Sequence, residues 1–177
     1  LEQNTTDLAV LLRPPGNPDM IAEAFAPQPH VIVAAPGHAL ARKRHISLQA
    51  VANEAFIVRE QGPDTRLAME ELLEECRVKF NVTMEIKSTE TIKQAVIAGM
   101  GISFLSAHTI GRDLEAGRLS VLDVEGFPVM RKWHIVHHKN KRLPAVAVAF
   151  KEFLLREGAA LIERLVGRAT PKRKLRA

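Results

Sequence analysis

The chain is poor in the features that announce most classes of function. It has one cysteine, Cys76, in 177 residues, so no internal disulfide can form, in keeping with a reducing cytoplasm. Cys76 falls late in a predicted amphipathic helix and lacks the activating neighbours that a nucleophilic thiol needs. No apolar run is long enough to cross a bilayer as a helix, and nothing at the start reads as a signal peptide. There is no Gly-x-Ser-x-Gly elbow, no P-loop and no Gly-x-Gly-x-x-Gly after a strand. Gly99-Met100-Gly101 ends a predicted helix rather than opening one, the wrong context for a dinucleotide turn. Zinc spacing is missing as well. His134, His137 and His138 are the one histidine cluster, and on a strand His134 and His138 share a face but stand too far apart to ligate together. These absences speak against an enzyme and against a metal or other cofactor.

What is present describes a globular protein: 46% hydrophobic and 25% charged residues. The net charge of +5 suggests nucleic acid, but Lys172, Arg173, Lys174 and Arg176 carry most of it, and without those four only +1 remains. A duplex-binding surface shows as a basic stripe on the folded body. Here the basic run follows Pro171 at one end of the chain, so residues 167–177 read as a disordered basic tail. The chain begins at Leu1, not Met, and residues 1–6 read as the end of a helix, which predicts a fragment of a longer protein.

The most informative stretch is Lys87–His108. Thr89 stands at an N-cap position, and Glu90 in the first turn suits the helix dipole. Ile92, Ala95, Val96 and Gly99 give a small apolar face that can lie on a sheet. Gly99 and Gly101 stop the helix, and Ile102, Phe104 and Leu105 read as a buried strand. A strand that runs into a helix N-terminus can hold an anion, because the first amides have no partner in the helix.

Around that unit, strands are predicted at Asp7–Arg13, Met20–Phe25, Val31–Ala35, Ala55–Arg59, Val82–Ile86, Leu119–Val124 and Lys132–His138. Pro27 and Pro29 make the second and third a bent or two-part strand. Ser47 caps a short helix within Ile46–Val51. Asp64 or Thr65 caps a helix to about Arg77, whose apolar face is Leu67, Met69, Leu72, Leu73 and Cys76 and whose Glu70, Glu71, Glu74 and Glu75 form a solvated acidic face. Helices follow at Thr109–Glu115 and Leu143–Val166, the last packing through Val146, Phe150, Phe153, Leu154, Leu161 and Leu165. The alternation predicts an α/β fold with mostly parallel pairing. Crossings at Ala26–Val33 and Leu122–Val129 predict two lobes joined by a two-strand hinge around a ligand cleft.

Four segments then resemble the C-terminal effector-binding domain of LysR-type transcriptional regulators: Asp7-Leu-Ala-Val-Leu; Val31–Ala41 with its Pro36-Gly37-His38-Ala39-Leu40-Ala41 turn; Ile97-Ala98-Gly99-Met100-Gly101-Ile102; and Leu114–Leu119 with Leu122. Ala39 stands where proline is common. Within the family, Ser88–His108 and Val124–Val129 look most like the regulators of carbon-fixation (Calvin cycle, RuBisCO) operons. The resemblance implies a type 2 periplasmic-binding-protein fold. Residues 1–30 plus 125–166 would form lobe I, truncated at its N-terminus, and residues 31–124 lobe II.

The resemblance further implies a small anionic metabolite bound between the lobes, such as a phosphorylated sugar, a carboxylate or a nicotinamide nucleotide. DNA would be contacted only through a winged helix-turn-helix domain preceding this segment, in a cytoplasmic homo-oligomer with no membrane association. Arg13, Asp64, Thr65, Ser88 and Thr89 match effector-contacting positions. Asp64 stands where a hydroxyl is common, and Arg13 or Arg66 would have to neutralise it for an anion to bind. A periplasmic solute-binding protein of the same fold and, behind it, a small α/β enzyme using a histidine are the rival readings.

Overall fold

Runs of branched apolar residues at 30–34, 55–59 and 102–106 decide the architecture, because buried strands are built from such runs. The computed structural model describes residues 6–60 and 64–166. Its elements are β1 (Ala9–Leu11), β2 (Met20–Ala34), α1 (Leu48–Ala52), β3 (Ala55–Arg59), α2 (Asp64–Cys76), β4 (Asn81–Ile86), α3 (Thr89–Ile97), β5 (Ile102–Ser106), α4 (Gly111–Glu115), β6 (Ser120–Val121), β7 (Val129–His138) and α5 (Ala145–Val166), with a 3-10 turn at Ala107–Thr109. Two compact units emerge: one from residues up to Gln28 with Met130–Leu165, the other from Pro29–Val129. The expected basic tail, 167–177, lies outside the described residues.

The second unit is a three-layer α/β sandwich. Its strands lie in the order β2-β5-β3-β4, with β6 beside β2. Every residue of β5 is buried, as befits a strand covered on both faces. Alternation along β2 sends Ile32 and Ala34 to one core, with Phe56, Val58, Ile102, Phe104, Val51 of α1 and Met69 of α2. Val31 and Val33 point the other way, to Ile57, Leu105, Ile110 and the Ile92, Ala95 and Val96 face of α3. Pairing is mixed, which corrects the mostly parallel expectation. β3 runs parallel to β4 and β5, whereas β2 runs antiparallel to β5 and β6. Parallel neighbours need a crossover, and here only α2 (β3 to β4) and α3 (β4 to β5) link successive strands of the parallel trio.

β2 is one strand of 15 residues where a bent or two-part strand was expected. Pro27 and Pro29 flank the point at which the chain passes from one unit to the other. In the first unit, β1 pairs antiparallel with β7, Val10 opposite Ile135. Ile135, Val136 and His137 are buried. The expected packing face of α5 needs correction: Val146, Phe150 and Phe153 are exposed, Val146 by 76%. Ala147 and Gly158 are buried instead, with Lys151 and Leu154 partly buried between them. The small residues allow the closest approach, and a Cβ on Gly158 would meet the Phe25 ring at 2.7 Å. Lys151 pairs with Glu23 and lies 3.2 Å from His137 Nε2, so a charged residue occupies the packed side.

The Lys87–His108 unit is built much as its sequence suggests. The N-cap, however, is Ser88, one residue before the expected Thr89; its Oγ accepts from the Thr91 amide at 3.4 Å. At the other end the Met100 amide donates to the Ala95 carbonyl and the Gly99 amide to that of Val96, the Schellman pattern, with Gly99 at φ +76° where a side chain would be strained. Gly101 serves packing. A Cβ there would lie 2.5 Å from the Ala55 carbonyl oxygen, which only glycine avoids.

Candidate functional site

In the second unit the parallel strands β4, β3 and β5 all end on one edge, the place where α/β sheets hold ligands. Arg59 is the last residue of β3, Ser106 the last of β5, and Ser88 follows β4 to open α3. Between them is a small opening lined by Arg59, Thr89, Ile92, Leu105, Ser106 and Thr109. Ile92 and Leu105 supply an apolar floor and the others a polar rim.

The rim is organised by short hydrogen bonds. Arg59 Nη1 donates to Thr89 Oγ1 at 2.7 Å. That bond holds a guanidinium beside the N-terminus of α3, where first-turn amides have no intrahelical acceptor. Arg59 Nε is buried and makes no hydrogen bond among the described residues. Across the opening, Thr109 Oγ1 donates to the Ser106 carbonyl at 2.8 Å, and Ser106 Oγ accepts from the His108 amide at 3.3 Å. Burial pushes the His108 imidazole below its ordinary 6.5, so it is neutral at physiological pH. A cationic fork, hydroxyls and helix-end amides on an apolar floor are groups whose chemistry suits a small anion. Among the described residues no group of three histidine, cysteine or carboxylate side chains could hold a metal ion.

The residues expected from sequence fall in different places. Thr89 lines the opening, and Ser88 caps the helix that borders it. Arg66 is engaged elsewhere. Its Nε donates to Glu70 at 2.6 Å, and its Nη1 donates to the Arg59 carbonyl at 3.1 Å and lies 3.8 Å from Glu85. It therefore braces the backbone of Arg59. Asp64 and Thr65 begin α2; their side chains, and the helix start from Gly62, lie outside the described residues. Arg13 is an exposed residue of the first unit, two positions after β1. Ser106 and Thr109 line the opening without having been expected there, and Arg59, near both predicted helix starts in sequence, lines it too. The signal that could have found two of them is positional, since Arg59 and Ser106 each end a parallel strand.

Comparison with known proteins speaks to family and fold. The model of the LysR substrate binding domain family matches residues 1–159. The RuBisCO operon transcriptional regulator of Allochromatium vinosum is 45% identical over 165 residues, covering 93% of this chain and 55% of the relative. The HTH-type transcriptional activator CmpR of Synechocystis is 44% identical over 161 residues, covering 91% and 53%. The chain thus spans about half the length of the curated relatives it matches. Among solved structures, the regulatory domain of CcmR from Synechocystis PCC6803, in complex with 2-PG, superposes with a TM-score of 0.81 at 37% identity, covering 87% of this chain and 74% of that one. The effector-binding domain of QuiR, in complex with shikimate, superposes at 0.78 with 24% identity, covering 89% and 74%, which speaks to the fold alone. The α/β, periplasmic-binding-protein-like architecture expected from the sequence is the one these regulatory domains share. From the family match, and from relatives that are regulators of carbon-fixation operons, it follows that this chain belongs to the LysR substrate-binding domain family.

Proposed function

We propose that this domain senses a small anionic metabolite for a bacterial LysR-type transcription factor, and that the anion binds at the edge of β3 and β5 against Arg59, Ser88, Thr89 and Thr109. The observation that carries the reading is the Arg59–Thr89 hydrogen bond, which holds a guanidinium at the N-terminus of a nine-residue helix. Such a group binds phosphate or carboxylate in two-pronged fashion. 2-PG, the ligand of the Synechocystis relative, is the first ligand to test. The protein acts by binding rather than turnover, in the cytoplasm, as a homo-oligomer. It contacts DNA through a helix-turn-helix region like the one the relatives' names record. Effector binding biases that region only to the extent that its two conformations bind the effector differently.

Titration calorimetry with 2-PG and inorganic phosphate tests the site. Wild type binds at least one of them. Arg59→Gln lowers the affinity by about 10- to 100-fold, the range for losing hydrogen bonds to a charged group. Equal affinity of Arg59→Gln and wild type, or no heat with either anion, removes the proposal.

A further inference from the structure

One turn into α3 a second set of charges faces the fold. Lys93 is 9% exposed and Asp113, in α4, 2%. Lys93 Nζ donates to Asp113 Oδ2 at 2.9 Å and lies 2.7 Å from Glu90 Oε2. Asp113 is completed by Arg118 Nη2 at 2.6 Å, and the Arg118 amide donates to the Asp113 carbonyl at 2.8 Å. Glu90 Oε1 accepts from Gln94 Nε2 at 3.0 Å. Burial disfavours the charge on Lys93, but the hydrogen bonds to Glu90 and Asp113 more than compensate, so its ammonium is held above the ordinary 10.5.

The placement matters because Glu90 is adjacent in sequence to Thr89, on the first turn of the helix whose N-terminus borders the proposed anion site. A carboxylate that swung over that N-terminus would occupy the first-turn amides and repel an incoming anion. Both of its partners stand three and four residues further on, and so draw it toward the second turn. We propose that Lys93, anchored by Asp113, is a positioning residue for effector binding: it holds the Glu90 carboxylate off the N-terminus of α3 and thereby sets the affinity of the site for anions. This rests on the anion-site reading above and adds to it the reason an acid is tolerated beside the site.

The test is a double-mutant cycle in the full chain, with inorganic phosphate and 2-PG as probes and calorimetric affinity as the readout. Lys93→Met lowers phosphate affinity by about fivefold, the scale of a charge at a helix end. Adding Glu90→Gln restores it, and the gain from Glu90→Gln is larger in the Lys93→Met background than beside Lys93. Lys93→Arg, which keeps a donor for both carboxylates, stays near wild type. Gln94→Ala, at an exposed position that leaves folding intact, weakens binding in the same direction by less, and Glu90→Gln reverses this too. Charges that merely add would give the same gain from Glu90→Gln in every background, and that result overturns the inference. So do Lys93→Met and Gln94→Ala proteins that bind phosphate as wild type does. In either case a loss of binding in Arg59→Gln still upholds the site itself, whereas a wild-type protein that binds neither probe brings down both.

Discussion

His108 illustrates how one side chain ties the rim of the site to the stability of the fold. It is partly buried beside Thr109, and burial lowers its pKa from 6.5. Below pH 6.5 the unfolded chain therefore takes up a proton that the folded chain resists. Stability falls as the pH drops from 6.5 toward the folded pKa, and the loss is complete below it. Urea unfolding of His108→Gln should lose less stability between pH 7.5 and 5.5 than wild type, because the variant has no imidazole to protonate there. Parallel losses in the two proteins would show that this histidine does not carry the effect. At this scale the sequence was legible where chemistry is local. A Ser-Thr pair before a helical repeat announces a cap, and the structure moves the cap only from Thr89 to Ser88. It was not legible where chemistry is distant. The bond from Arg59 to Thr89 spans 30 residues, so no local pattern shows which hydroxyl Arg59 meets. Arg66 read as an effector-facing charge, yet Glu70, one turn on, holds it at 2.6 Å in the i,i+4 geometry that helices favour.

Two helices of the second unit end alike, yet only one end was marked by its sequence. α3 closes with Gly99 in the left-handed region. α2 closes in the same pattern, the Val78 amide donating to the Leu73 carbonyl and the Arg77 amide to that of Glu74, but the residue in the left-handed position is Arg77 at φ +53°. A residue with a Cβ costs about 1–2 kcal/mol in that conformation, while glycine returns part of the gain through the entropy of the unfolded chain. Arg77→Gly should therefore stabilise the domain by about 0.5–1 kcal/mol in chemical denaturation. A destabilised variant would mean that the exposed Arg77 side chain contributes more than its backbone strain costs. The same limit applies to α5. Hydrophobic periodicity chose Val146, Phe150 and Phe153 as its buried face, but helices approach closely through small residues: Ala147 is buried, and Gly158 is what β2 meets through Phe25. Periodicity counts apolar side chains; it does not register that a glycine offers room for a neighbouring ring.

For the whole molecule, the alternation of strand and helix carried the α/β assignment, since α2 and α3 each return the chain to a strand of the parallel trio. The antiparallel β2 escaped because strand direction depends on where a strand enters the sheet, and a run of valine and isoleucine reads the same in either direction. The net charge of +5 was similarly resolved by position rather than by total: four basic residues beyond Pro171 carry most of it, whereas the cation that lines the proposed anion site is Arg59. Binding at that site has a readout that involves the entire fold. A ligand that binds the folded chain and not the unfolded one stabilises it by RT ln(1 + [L]/Kd), about 2.7 kcal/mol at a hundredfold excess over Kd. In thermal unfolding, each further tenfold rise in 2-PG should add about 1.4 kcal/mol once the site is saturated. Arg59→Gln should need about 10- to 100-fold more ligand for the same shift. The ligand distinguishes a sensor from an enzyme: after prolonged incubation its phosphorus and proton NMR spectra should be those of the starting compound. A stabilising ligand consumed at a rate proportional to protein concentration would instead place this domain among catalysts.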